Sequence, residues 1–208
     1  MVRQRVRIRF RKQGNLRLVG HRDLMRGMER LFRRAGLPLA MSQGFHPKPR
    51  MTFPLALALG IEGSDELMEV ELAGPCNSEK LLDQLTSHAL PGLTFKSAEV
   101  LPPDAKKARV RSVCYQVPIP PHRRDGLCER IHRLMASSSY PIQRPQRSTS
   151  VDLRADLGEL TLEEGVLTMR LRTGSQGGVR PREVLETLGL GDLELQGVHL
   201  RRTAVEIQ

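Results

Sequence analysis

The chain has 208 residues, of which 39% are apolar and 3% aromatic, and it carries three cysteines and a formal net charge of +10. This length suits one large domain or two of about 100 residues each. No apolar run is long enough to cross a bilayer, the basic start lacks the apolar stretch of a signal peptide, and the cysteines are too scattered for a disulfide framework. We therefore expect no membrane association and a cytoplasmic location.

The positive charge is concentrated in the first quarter of the chain. Residues 1–50 contain 14 lysines and arginines against two acids, a net charge of +12, and the remaining residues sum to −2. Most of these bases are arginines, whose planar guanidinium groups match the oxygens of phosphate. This segment therefore predicts a surface that binds a polyanion, RNA before anything else.

The first predicted element is a strand with a row of arginines. Residues 2–11 alternate strictly, and this period of two is typical of a half-buried strand. Burying an unpaired charge is costly, so the arginine face must meet water, acids or phosphate. We call these residues the strand row: Arg3, Arg5, Arg7, Arg9 and Arg11. The alternative is that carboxylates such as Glu66, Glu69 or Glu71 neutralise part of the strand row.

The second predicted element is a helix over 21–35, because apolar residues recur at three- and four-residue spacing from Leu24 to Ala35. Gly36 provides the stop signal. A second face of this helix, which we call the helix stripe, carries Arg22, Arg26, Arg30 and Arg33, with Arg34 beside it. The stripe is a candidate phosphate-binding surface. The alternatives are a solvated helix face and, less favoured, contact with a membrane surface.

The third feature is the 42–50 loop, which contains two prolines and a glycine between two predicted strands. Its candidate anion-binding residues are Ser42, Gln43, Gly44 and His46, with Lys48 and Arg50 as further cationic donors. The alternative is a purely structural turn. His21 and His46 are weak candidates for a general acid and base. The spacings of cysteine and histidine match no metal site, and no nucleotide-binding motif is present, so we expect no metal and no cofactor.

The remaining pattern predicts an α+β fold made of two tandem ferredoxin-like (βαββαβ) domains. The boundaries are residues 1–104 for the basic domain and 110–208 for the second, with a linker at 102–107. Further strands of the first domain are predicted at 16–19, 37–41, 51–59, 66–72 and 93–101, and its second helix at 78–89. In the second domain we predict strands at 113–119, 151–157, 166–173 and 198–207, and helices at 123–136 and 181–188. The glycine-rich stretch at 174–181 could hold an anion, although a simple loop is favoured.

Three segments of the first domain resemble a known family. They are GHRDLMR at 20–26, RRAGLP at 33–38 and SQGFHP at 42–47, and RPREVL at 180–185 is similar to the family's C-terminal part. The chain thus resembles the radical-SAM-linked proteins of unknown function, the DUF2344 family. The resemblance implies a radical SAM protein as partner, since members are encoded beside or fused to one, often near an RNase of the E/G type. The iron–sulfur motif is absent here, so the partner would supply that chemistry.

Together, these features predict a non-catalytic, RNA-binding accessory protein that presents tRNA or another structured RNA to a radical SAM partner. One alternative is a metal-independent endoribonuclease that uses His21, because the double ferredoxin-like layout resembles the CRISPR repeat-cleaving endoribonucleases. Another is a protein-only adaptor whose arginines meet acidic patches on the radical SAM enzyme. The sequence does not indicate an oligomeric state.

Overall fold

The computed structural model describes residues 3–144, 150–174 and 178–208. The chain forms two compact units, Met1–Arg109 and Val110–Gln208, so residues 102–107 count with the first unit. Both units are α+β, with antiparallel sheets and few helices. Within the described ranges, every helix is too short or too polar to cross a membrane. Part of the glycine-rich stretch, residues 175–177, lies outside the described residues.

The first unit contains four strands and two helices in the order β-α-β-β-α-β. They are β1 (Gln4–Lys12), α1 (His21–Arg34), β2 (Met51–Thr52), β3 (Glu62–Leu72), α2 (Ser78–Ser87) and β4 (Leu93–Val100). Strand β1 lies between β4 and β3, and β2 pairs with the other edge of β3. All three pairings are antiparallel.

The alternation in β1 separates a core face from an open face. Val6, Ile8 and Phe10 are fully buried, and they share one hydrophobic cluster with Met28 of α1 and Leu85 of α2. Both helices therefore cover this face, while the strand row points to the opposite side of the sheet. Helix α1 ends where expected, because Gly36 adopts φ +69°, a left-handed conformation that suits glycine.

Several predicted strands of the first unit are shorter than expected or absent. In place of the strand predicted at 16–19, residues 16–18 belong to a 3-10 turn, Gly14–Leu18, because Gly14 (φ +60°) turns the chain out of the sheet. The predicted strand at 37–41 makes only isolated bridges. The strand predicted at 51–59 is limited to β2, since Pro54 has no N–H group to donate to a sheet.

The second unit combines a four-stranded sheet with three helices and a two-stranded ribbon. Its elements are β5 (Val110–Pro118), α3 (Leu127–Ala136), β6 (Pro141–Ile142), β7 (Val151–Asp152), α4 (Leu153–Asp156), β8 (Leu157–Glu163), β9 (Val166–Arg172), α5 (Pro181–Thr187) and β10 (Arg201–Ile207). Within this unit the strand order is β10-β5-β9-β8, and β6 pairs with β7 in the ribbon. The neighbouring strands again run antiparallel.

Two predictions for the second unit are wrong in detail. The strand predicted at 151–157 is interrupted by α4, because the Asp152 carboxylate accepts a 2.9 Å hydrogen bond from the backbone N–H of Arg154 and caps a helical turn. The helix predicted from residue 123 begins only at Leu127. It is preceded by a 3-10 turn, Pro121–Arg123, and by Gly126 at φ +65°.

Candidate functional site

The arginines of the first fifty residues lie on two different faces of the first unit. The strand row lies on the open face of the sheet, whereas α1 packs on the other face through Leu24, Met28, Leu31 and Phe32. The helix stripe lies on the side of α1 away from these buried residues, because its members are offset by about half a turn. The arginines of the first fifty residues therefore form two separate groups.

Carboxylates of the same unit neutralise the middle of the strand row. Arg7 donates from Nε and Nη2 to Oε1 of Glu69, at 3.2 and 2.9 Å. Arg9 pairs with Asp65, which also accepts from Lys96 at 2.5 Å. The hypothesis that the row lacks local anions is therefore wrong at these two positions. At Arg7 and Arg9 the alternative, neutralisation by carboxylates, describes the strand row better. Asp65 is a partner that the sequence did not suggest.

The structure brings Arg5 and Arg50 together around a small cavity on the open face. Arg5 donates to the carbonyl of Ala105 in the predicted linker. The cavity has a volume of about 140 Å³, and its charged lining consists of Arg5, Arg50, Lys107, Glu69 and Glu71. Arg50 lies 3.6 Å from Glu71. The buried Nε of Arg5 has no hydrogen-bond partner among the described residues, so an acceptor from water or an anion would complete this site.

The two ends of the strand row differ from its middle. Arg3 and Arg11 are exposed, and neither has an ion pair or hydrogen bond within the described part of the chain. They remain free to meet solvent or an external anion. Lys12, the next residue, lies on the core face and is fully buried, where its Nζ donates to the carbonyl of Val19 at 2.7 Å.

The helix stripe is the most accessible group of arginines in the first unit. Arg22, Arg26, Arg30 and Arg33 are all exposed. Arg33 pairs with Glu29 at 2.6 Å, and Arg26 lies 3.5 Å from Asp23. Exposed pairs of this kind stabilise a helix weakly and exchange readily for other partners. Arg22 and Arg30 have no partner at all over the ranges that the structure covers.

Hydrogen bonds between Ser42 and Lys48 close the 42–50 loop at its base. Ser42 accepts a 2.9 Å hydrogen bond from the backbone N–H of Lys48 through its Oγ, and donates its own N–H to the Lys48 carbonyl at 2.8 Å. Gly44 adopts φ +127°, which favours glycine. Residues 43–48 are all exposed. Ser42 Oγ therefore accepts a hydrogen bond within the loop itself, and the tip carries the accessible groups.

Sequence reasoning missed Phe45 as a functional candidate. Its side chain is completely exposed at the tip of the 42–50 loop. The available signal was a single phenylalanine inside a loop that has one glycine, two prolines and the basic residues Lys48 and Arg50. Aromatic and basic side chains in combination are typical of surfaces that bind single-stranded nucleic acid.

The two histidine candidates occupy different environments. The ring of His21 packs edge-on against Phe53, with centroids 5.3 Å apart and an interplanar angle of 88°. Phe53 in turn contacts Phe10 of the core, which gives His21 a packing role at the start of α1. His46 is exposed at the loop tip. No group of three or more potential metal ligands is present among the described residues.

In the second unit, charged side chains form internal ion pairs that the sequence did not reveal. Arg144 donates to both carboxylate oxygens of Glu183, at 2.6 and 3.0 Å, and both side chains are largely buried. Burial raises the pKa of Glu183, but hydrogen bonds from Arg144 and from the backbone of Arg180 outweigh it and hold that pKa below 4.5. Glu183 caps the start of α5, and Arg144 holds its carboxylate in place. The role of this ion pair is structural.

Two solved structures show a weak likeness to this chain. A protein assigned as a glycine cleavage system transcriptional repressor is similar at 13% identity and a TM-score of 0.31. A protein of unknown function from Galdieria sulphuraria is similar at 12% identity and a TM-score of 0.27. In both cases the match covers 100% of this chain and 99% of the other. TM-scores of this size support no conclusion about fold or function.

None of the curated proteins matches this chain in sequence. The model of one protein family does match, over residues 5–181, and this range includes β1, the helix stripe, the 42–50 loop and the start of α5. That family is described as an uncharacterised protein conserved in bacteria. Because the match covers well over half of the residues, the chain belongs to the DUF2344 family.

Proposed function

We propose that this protein is a non-catalytic accessory factor that binds tRNA or another structured RNA and presents it to a radical SAM partner enzyme. The observation that carries the RNA-binding part is the helix stripe. Arg22 and Arg30 are exposed on the outer face of α1 without a carboxylate partner among the described residues. Guanidinium groups repeated along one helix face can bind successive phosphates without reading base sequence.

The distribution of charge supports the same proposal. Helix α1 carries five arginines and two acids, and both acids lie in weak pairs on its exposed surface. The strand row contributes less, because Arg7 and Arg9 are already paired with carboxylates. The proposed interface therefore consists mainly of the helix stripe with Lys48 of the 42–50 loop, and the paired middle of the strand row is not part of it.

The fold type, the cellular location and the partner enzyme belong to the same proposal. We propose that both units are ferredoxin-like domains, which the equivalent antiparallel strand orders β4-β1-β3-β2 and β10-β5-β9-β8 support. A cytoplasmic location is consistent with the free thiols of Cys76, Cys114 and Cys128. The radical SAM partner rests on the family resemblance alone, and co-purification of such an enzyme with the tagged protein would test it.

The test of RNA binding is a fluorescence-anisotropy titration with labelled tRNA and with a labelled single-stranded RNA over a series of salt concentrations. Contacts with about five phosphates would weaken single-strand binding roughly 100-fold between 50 and 200 mM salt. The double variant Arg22→Gln/Arg30→Gln removes two of these contacts. It should lower the slope of log affinity against log salt by about 1.4.

The matched control is Lys80→Gln/Arg133→Gln, which removes the same charge from exposed positions on α2 and α3. It should retain most of the affinity and the wild-type salt slope. Equal losses in the two double variants would mean that only net charge matters, and would overturn the assignment to the helix stripe. Absence of RNA binding by the wild-type protein would overturn the proposed function itself.

A further inference from the structure

Phe45 is unusual among the phenylalanines of the first unit. Its side chain is 102% exposed, whereas Phe10, Phe32 and Phe95 are buried in the core. A single exposed apolar side chain needs no explanation by itself. The support beneath Phe45 and the charge around it therefore decide whether it has a role.

Backbone contacts hold the base of the loop that carries Phe45. Met41 and Pro49 form a bridge across the base of the 42–50 loop, and Ser42 and Lys48 exchange two hydrogen bonds just above it. Arg50 donates its backbone N–H to the carbonyl of Ala40 at 2.9 Å. These contacts hold the ends of the loop together, so its tip is presented to solvent from a fixed base. Presenting an aromatic side chain in this way lowers the entropy lost when it binds.

The charge of the chain segment that contains Phe45 indicates the kind of partner. No aspartate or glutamate occurs between residues 30 and 61. The charged residues of that stretch are Arg30, Arg33, Arg34, Lys48 and Arg50. A basic partner would be repelled here and a polyanion attracted. A partner with both negative charge and flat apolar surfaces complements this tip, and a nucleic-acid strand with unpaired bases has both.

We propose that Phe45 stacks on an unpaired base of the bound RNA while Lys48 contacts a phosphate of the same strand. This inference rests on the proposed RNA-binding function and adds to it the class of RNA element, namely a single-stranded segment or loop. A phenylalanine ring can stack on any of the four bases, so the contact discriminates unpaired from paired bases and not one base from another.

The absence of tryptophan from the chain allows a direct test. Phe45→Trp introduces a single tryptophan at the loop tip, where a stacked base would quench its fluorescence. Titration with a single-stranded uridine oligonucleotide should give saturable quenching that weakens as salt is raised. The control is Leu195→Trp, at a side chain that is 92% exposed in the second unit. Its emission should not respond.

Affinities provide the second arm of the test. Phe45→Ala should weaken binding of the single-stranded RNA about tenfold and leave binding of a fully paired duplex unchanged. Phe45→Leu should resemble Phe45→Ala, because leucine is apolar but has no π face. Fluorescence of Phe45→Trp that saturating RNA does not change, or wild-type affinity of Phe45→Leu, would overturn the stacking proposal.

The outcomes also separate this inference from the function on which it rests. If wild type and Phe45→Ala bind all RNAs equally, with the expected salt dependence, the stacking role is wrong and the proposed function stands. If the wild-type protein binds no RNA, both are wrong. If Phe45→Ala loses a protein partner but keeps its full affinity for single-stranded RNA, the tip is a protein contact and the stacking proposal is overturned.

Discussion

Arg7 and Glu69 are directly opposite each other on the antiparallel strands β1 and β3, and the guanidinium donates two hydrogen bonds to one carboxylate oxygen. Their side chains are 19% and 5% exposed, respectively. The same oxygen of Glu69 accepts a 3.2 Å hydrogen bond from the backbone N–H of Ala108. This pair joins the sheet to the segment that follows β4, and it explains why an arginine of the strand row is structural.

Replacing Arg7 should therefore affect stability more than RNA binding. Arg7→Met leaves the Glu69 carboxylate buried with one backbone donor, and we expect the free energy of unfolding to fall by about 3 kcal/mol. Arg7→Met/Glu69→Leu should recover most of this loss, because it removes both charges. Urea unfolding of the three proteins measures the effect. If the single and double variants were equally destabilised, the unpaired carboxylate would not be the cause.

The Arg144–Glu183 pair predicts a dependence of stability on pH. The folded pKa of Glu183 lies below its ordinary value of 4.5, so the carboxylate contributes stability above that value. The contribution is lost as the pH falls through the lowered, folded-state pKa. Arg144→Met should lower the free energy of unfolding by about 3 kcal/mol at neutral pH. The gap between variant and wild type should narrow as the pH falls well below 4.5, and urea unfolding across that range would show it.

Asp192 provides a titration that can be followed directly. Arg123 donates to both of its carboxylate oxygens, at 2.7 and 2.8 Å, and holds the pKa of Asp192 at about 2. Arg123→Gln should raise this pKa toward the ordinary value of 3.8. Carbon NMR of the side-chain carboxyl during a pH titration measures the change. A pKa that stays low in the variant would assign the shift to other donors, such as Gln196.

Two glycines with similar backbone angles should respond differently to alanine. Gly92 (φ +84°) accepts from the N–H of Gln13, and a Cβ there would collide with the Gln13 carbonyl oxygen and lie 3.1 Å from Leu16. Gly36 (φ +69°) has open space around that position. Gly36→Ala should cost about 1–2 kcal/mol for the left-handed conformation. Gly92→Ala should cost about 1–3 kcal/mol more because Gln13 must move. Equal melting temperatures would contradict the steric argument.

The elements that were predicted well have strong local signals. The strict alternation of β1 and the spacing of Leu24, Met28 and Leu31 in α1 each specify a buried face within one segment. Gly36 marked the end of α1, and Pro181 stands at the start of α5. The failures lie where a contact distant in sequence or a side-chain cap decides the backbone. Examples are the 3-10 turn at Gly14–Leu18, where the contact of Gln13 with Gly92 acts together with the positive φ of Gly14, and α4, which Asp152 caps.

By itself, the sequence determined that the first unit would carry a concentration of arginine on one strand and on one helix face, because charge and periodicity are local properties of the chain. Only the tertiary structure decided which of these arginines remain available. Pairing of β1 with β3 placed Glu69 opposite Arg7, and the end of the first unit placed the Ala105 carbonyl beside Arg5. Arg22 and Arg30 lie on the face of α1 opposite its buried residues, so they stay exposed among the described residues. A buried guanidinium is satisfied by whatever acceptor the fold brings to it, and that acceptor can lie a hundred residues away.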